Sequence, residues 1–169
     1  MSQLDPYQPP KTFAEAPVDL DGTAHLAGRD QRFGAAMIDG LIGLALSVPV
    51  MMAMGTFEYV KTGQQPPLHL VIIGAVIGFC IFSAVHYVTL AKNGQTIGKR
   101  FLKIRIATLR GEKPTVGHIL GVRYLPISVV QVIPILGSLL SLIDIAFIFR
   151  SDRRCLHDLI AGTQVVRCE

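Results

Sequence analysis

Leu68-His-Leu-Val-Ile-Ile-Gly-Ala-Val-Ile-Gly-Phe-Cys-Ile-Phe-Ser-Ala-Val-His-Tyr-Val-Thr-Leu-Ala91 is the stretch that decides the architecture. It contains no Asp, Glu, Lys or Arg, and it exceeds the roughly 20 apolar residues that an α-helix needs to cross a bilayer. Gly74 and Gly78 form a small-xxx-small pair, which lets another helix approach closely. Phe82 and His86 continue the same i, i+4 face. The reading is a membrane helix over residues 68–91 with a packing face.

Upstream, a second apolar run covers residues 33–55, with Pro49 tolerable inside a membrane helix. Thr56 to Pro67 reads as a short polar link carrying Glu58 and Lys61 and ending on Pro66-Pro67. Residues 1–28 hold Pro6, Pro9, Pro10 and Pro17 and set Asp5, Glu15, Asp19 and Asp21 against Lys11. That composition predicts a disordered, mildly acidic tail with no apolar signal-peptide core.

Downstream, residues 92–114 are strongly basic, with Lys92, Lys99, Arg100, Lys103, Arg105, Arg110 and Lys113 against Glu112. Short loops of this kind stay in the cytoplasm. Leu102, Ile104 and Ile106 alternate with Lys103 and Arg105, a period-2 strand signal. Thr163 to Arg167 at the far end predicts a partner strand at the membrane surface. Between them, residues 115–149 admit two readings. A single span from Leu125 to Phe149 would place Arg150, Arg153 and Arg154 outside. A break at Ile133-Pro134-Ile135-Leu136-Gly137 gives two short spans, about 115–133 and 137–150, with both basic ends inside. The hairpin is preferred because it obeys the positive-inside tendency, at the expense of tilt or local thinning. The expected fold is therefore an all-α membrane protein: a small bundle of four transmembrane helices, three being the alternative, with a short β element at the cytoplasmic surface. Residues 151–169 form a cytoplasmic tail, so both termini share that side.

Composition agrees. Half of the 169 residues are hydrophobic and 17% are charged, against about a quarter in soluble domains. The net charge of +4 is no nucleic-acid footprint. Cys80, Cys155 and Cys168 show neither metal spacing nor a disulfide framework. Cys80, within an apolar run, reads as a small packing residue.

Ionisable groups inside a bilayer are expensive and face a partner or a wet cavity. The candidates are Arg32 at the cytoplasmic mouth and, deeper, Asp39, His86, Arg123 and Asp144, of which His86, near the cytoplasmic end of its helix, reads first as an interfacial residue. Arg32 and Asp39 share a helix face roughly 9–10 Å apart along the axis. Asp39 is the candidate cation or proton carboxylate, with Arg32 gating or neutralising it. Arg123 reads as a structural partner, or as an interfacial anchor with Tyr124. Asn93-Gly-Gln-Thr-Ile-Gly-Lys-Arg100 lacks the glycine spacing and the Ser/Thr of a phosphate loop. His157-Asp158 has no nucleophile or metal ligand at a diagnostic spacing, so no enzyme or cofactor is expected.

Three ordered motifs resemble the RDD family of small bacterial membrane proteins, over residues 26–167. They are Arg32-Phe-Gly-Ala-Ala-Met-Ile-Asp39-Gly, Gly94-Gln-Thr-Ile-Gly-Lys-Arg-Phe-Leu-Lys-Ile-Arg-Ile106 and Leu156-His-Asp-Leu-Ile-Ala-Gly-Thr-Gln-Val-Val166. The resemblance implies that Arg32 and Asp39 are the first two residues of the family's name. Asp158 matches the third by motif, with Asp144 a rival by depth. Gly94, Gln95, Thr96, Gly98, Lys99, His157, Gly162 and Thr163 belong to the same motifs. It also implies a bacterial cytoplasmic membrane and a role in transport. The expectation is a homo-oligomer in the lipid bilayer that moves a small cation or proton. The rival is a non-transporting adaptor whose buried charges are structural and whose basic face binds lipid or a partner protein.

Overall fold

The computed structural model describes residues 26–168. Its two long helices are α1 (Arg29–Ala53) and, after the short α2 (Thr56–Lys61), α3 (Leu68–Asn93). Both are long and apolar enough to cross a membrane. Leu41, Leu44, Ile72, Ile73 and Val76 stand exposed along them, a bare apolar surface that water does not tolerate at this size. The stretch read as a polar link contains α2, one and a half turns closed by the Glu58–Lys61 pair at 2.7 Å. Cys80 is exposed on α3, so it packs against nothing substantial in its own chain.

Local chemistry sets the helix ends. Asp30 sits in the first turn of α1, where the helix dipole favours an acid, and Gln31 Oε1 accepts the Gly28 amide at 3.0 Å. Gly94 ends α3 in the left-handed region, at φ 66°. A side chain there would be strained, and it would also crowd the Ile106 carbonyl. Thr96 then caps α4 (Ile97–Phe101), accepting the Lys99 amide on its hydroxyl at 3.4 Å.

The residues after α4 form β1 (Ile104–Thr108), antiparallel to β2 (Thr163–Arg167), with Ile106 opposite Val165. The pairing matches the sequence expectation, two residues later on the first strand. A two-stranded ribbon is marginal by itself, and this one is held by packing. Ile104 and Val165 are fully buried with Ala27 and Ala35, and Ile106 with Leu90 and Ile119. Leu26 bridges Val166, and the Ala27 amide donates to the Val165 carbonyl at 2.9 Å. The expected tail therefore ends before Leu26, and its residues 1–25 lie outside the described ones.

The 115–149 run is not one helix. The helical segment α5 (Val116–Val130) stops, and α6 (Pro134–Ala146) begins after three intervening residues, ending in a 3-10 turn at Phe147–Phe149. Gly137 lets this turn close, since a Cβ there would collide with the Gln131 backbone. Within α5, residues Ile119–Tyr124 form a widened π-helical turn. Pro126 follows it, with no N–H to give and a ring that clashes with the carbonyl four residues earlier. A short helix α7 (Leu156–Ile160) leads into β2. The buried core thus gathers at the basic end of the molecule, a collar of α4, α7, the sheet and the near ends of the long helices.

Candidate functional site

Two clusters of buried polar residues occupy the collar. The first surrounds Asp39, on α1. Its Oδ2 accepts the Thr96 hydroxyl at 2.5 Å, and its Oδ1 accepts the Gly98 amide at 2.7 Å. A Cβ on Gly98 would stand 2.9 Å from Asp39 Oδ1 and would strike the Ala35 carbonyl. Only a glycine brings its amide this close. Gln95 ties the same loop to the sheet by donating to the Ile104 carbonyl at 2.9 Å. The Gly94-Gln-Thr-Ile-Gly98 motif is therefore a cradle for one carboxylate.

The third partner of Asp39 is His86, on α3, which is 2% exposed. Its Nε2 lies 3.3 Å from Asp39 Oδ1, and its Nδ1 lies 2.9 Å from the Phe82 carbonyl oxygen. Both neighbours are acceptors. A neutral imidazole has one N–H to give, so satisfying both contacts requires one further proton, shared between His86 and Asp39.

The second cluster centres on Asp158, in α7 and fully buried. Arg32 pairs with its Oδ2, and Arg123 reaches its Oδ1 at 2.7 Å. Thr163 donates to Oδ1 at 3.3 Å, and the Cys155 amide donates to Oδ2 at 3.2 Å. Arg32 also donates to the Arg153 carbonyl, from a residue held at the left-handed φ of 51°. Arg123, rooted in the widened turn of α5, donates to Thr163 at 3.1 Å and to His157 Nε2 at 3.0 Å. Arginine only donates, so Nε2 accepts and the His157 proton sits on Nδ1. That Nδ1–H meets Asp144 at 2.8 Å, and the His157 amide adds a bond to Asp144 at 3.0 Å. Two arginines face two aspartates across a neutral imidazole, and the charges balance.

Protonation follows the geometry. Burial would raise the Asp158 carboxyl, but the guanidinium charges of Arg123 and Arg32 outweigh it and hold the group well below the usual carboxylate range. Burial, with Arg123 beside it, lowers His157 and keeps the ring neutral. Burial pushes the Cys155 thiol up to about 11. Asp144, Cys155 and His157 present ligand atoms within 4.8 Å of one another. With Arg32 3.5 Å from the Cys155 sulfur and Arg123 on His157, however, the surroundings favour thiol and imidazole over a metal ion.

The sequence candidates thus divide. Arg32 and Asp39 lie on one helix but do not pair: Arg32 turns to Asp158, and Asp39 to His86. Asp144 holds His157, while Asp158 takes both guanidinium groups. Arg123 is fully buried as a partner of Asp158, not an interfacial anchor. Gly162, at φ 60°, makes the turn into β2, which starts at Thr163. Gly74 and Gly78 line an open groove, and nothing in the described chain lies within 4 Å of where their side chains would begin. Sequence reasoning passed over Cys155 and the Arg153 carbonyl, which no spacing rule marks.

The sequence profile of the RDD family matches residues 26–162. An uncharacterised Bacillus subtilis protein, YckC, is 34% identical over 135 residues, covering 79% of this chain and 80% of the relative. An uncharacterised Haemophilus influenzae protein is 27% identical over 144 residues, covering 85% and 79% respectively. No solved structure matches the chain.

Proposed function

The chain belongs to the RDD family, and from that premise we propose that it is a multi-pass membrane transporter that exchanges a cation against a proton at Asp39 and His86. One observation carries this reading: His86 stands between two acceptors, the Phe82 carbonyl and the Asp39 carboxylate. Such a pair holds a proton that it can release to a competing cation without rearranging the helices.

In this reading α5 and α6 form the short hairpin. Each helical segment is about 15 residues and roughly 22 Å long, less than the ~30 Å hydrocarbon core, so the bilayer thins or the protein assembles with further copies around it. The collar lies in the cytoplasm of a bacterial inner membrane with both termini. Exposed Lys92, Arg100, Lys103 and Arg110 mark that side, with exposed Phe101 and Leu109 beside them at the lipid boundary. Cysteine labelling at position 151 tests the topology, since modification from outside an intact cell restores the three-span arrangement.

The decisive experiment is Asp39→Asn in liposomes. Asparagine keeps the shape and still accepts the Gly98 amide on its one oxygen, with its NH2 turned to the Thr96 hydroxyl oxygen, but it cannot ionise. The expected result is a folded protein without proton-coupled cation flux. Wild-type flux in this variant overturns the assignment. Absence of flux in the wild type under every imposed gradient favours the adaptor reading, which draws on the same exposed basic residues as a surface for anionic lipid.

A further inference from the structure

Between α1 and α3 runs a groove of about 320 Å³ that ends on His86. Its walls are apolar, among them Leu46, Val50, Val71, Ile81 and Phe82, and no Asp, Glu, Lys or Arg lines it among the described residues. Its hydroxyls are already engaged: Thr56 donates to the Met51 carbonyl at 2.9 Å and Ser47 to the Leu44 carbonyl at 3.2 Å. Among the described lining residues His86 alone has a titratable side chain, and its Nε2 lies 3.3 Å from Asp39 Oδ1. The space exists because glycines line it. A Cβ at Gly43, Gly74 or Gly78 would meet nothing within 4 Å.

We propose that this groove binds an amphipathic organic cation, a primary or secondary amine on an apolar body, whose ammonium group replaces the proton shared by His86 and Asp39. The proposal rests on the exchange reading of that pair and names its substrate class. When the shared proton leaves, His86 keeps the Nδ1–H that it gives to Phe82. Nε2 and Asp39 Oδ1 are then two acceptors 3.3 Å apart. An ammonium with two N–H groups donates to both. One proton departs to water for each cation bound, and the charge of the site is unchanged. The walls select the rest of the ligand. A hydrated inorganic ion gains nothing from apolar walls and loses water to reach His86. An anion meets the Asp39 carboxylate, and a neutral apolar molecule leaves the two acceptors unsatisfied. The volume falls within the range of small-molecule pockets, roughly 300–1,000 Å³. Among the described residues, Lys99 acts on Asp39 from α4, and Tyr124 packs on Phe82 from α5.

The test uses the full chain in nanodiscs with dansylcadaverine, a fluorescent primary amine, against its N-acetylated neutral form. The expected result is saturable binding of the amine above that of empty nanodiscs, with at least tenfold weaker binding of the acetylated form. Release of one proton per amine should be visible with an indicator dye in weak buffer. Gly74→Leu with Gly78→Leu, and separately Val71→Phe, should each weaken amine binding at least tenfold by filling the groove. Equal binding of the amine and its acetylated form makes the groove a site for lipid chains and overturns the proposal. So does wild-type affinity in both groove-filling variants. A change of oligomeric mass in the Gly74→Leu, Gly78→Leu protein marks the groove as a contact between copies, and overturns it too. Wild-type protein that exchanges sodium for protons but binds no amine removes the substrate class and leaves the exchange reading intact. Amine binding with proton release but without flux keeps the site and removes transport.

Discussion

His86 and His157 each lie against an aspartate at the same end of the molecule, and their second neighbours make them opposites. His157 stands between an acceptor, Asp144, and a donor, Arg123. One proton satisfies it, and its neutral form fits without remainder. His86 stands between two acceptors, and one proton leaves it short. The Asp158 cluster pairs its charges and suits a joint, whereas the Asp39 cluster sets one imidazole against two acceptors, which is the feature the proposed exchange draws on. Burial alone does not separate them. Donor counting does.

The comparison can be broken most forcefully at Asp158. Asp158→Asn leaves Arg32 and Arg123 buried without their counter-ion, a loss of about 3–5 kcal/mol. The expected result is low yield in detergent and a large fall in melting temperature, in contrast with Asp39→Asn. Similar melting of the two variants would dissolve the distinction between joint and site.

Acid should act on the joint in two stages. His157 is lowered in the folded protein, by burial first and by Arg123 second, so the unfolded chain takes up its proton more readily. Its contribution is complete above the ordinary 6.5 and is lost as pH falls below that value toward the folded one. Asp158 is also held low, against burial, by Arg123 and Arg32, so its contribution persists above the ordinary 3.8 and is lost below it. The protection factors of the β1 and β2 amides, taken against intrinsic exchange at each pH, should fall between neutral pH and pH 5, and again below pH 4. Protection independent of pH would contradict the assignment of a neutral His157.

Thr163→Val probes the same cluster more gently. It removes a donor to Asp158 and an acceptor for Arg123, and should destabilise by about 1–3 kcal/mol, read as a shift in thermal midpoint. His86→Gln should change stability least, by about 1 kcal/mol or less, yet flatten the pH dependence of flux. A steep pH profile in that variant would move the exchangeable proton elsewhere.

Much of this fold was legible in the sequence, because the long helices announce themselves by apolar length and β1 by alternation. The collar was legible only in part. Helical spacing puts Arg32 and Asp39 on one face of α1, and that spacing invites the two to pair. Nothing local reveals that residue 158 returns between the arginines, an ion pair closed over 126 positions. Gly98 was visible as a motif residue, but its use is an absent side chain, which composition does not display. The break at Pro134 and the widened turn before Pro126 follow from proline chemistry. Which carboxylate that turn hands Arg123 depends on how α7 packs, and no spacing encodes it.

The segment from Gly94 to Gly98 holds three things within five residues. The Gly94 carbonyl accepts the Ile106 amide at 2.9 Å, Gln95 grips the Ile104 carbonyl, and Thr96 and Gly98 grip Asp39. It works as a short lever with the carboxylate on one arm and the sheet on the other. On the exchange reading, a ligand that pulls on Asp39 therefore pulls on the sheet through the same five residues.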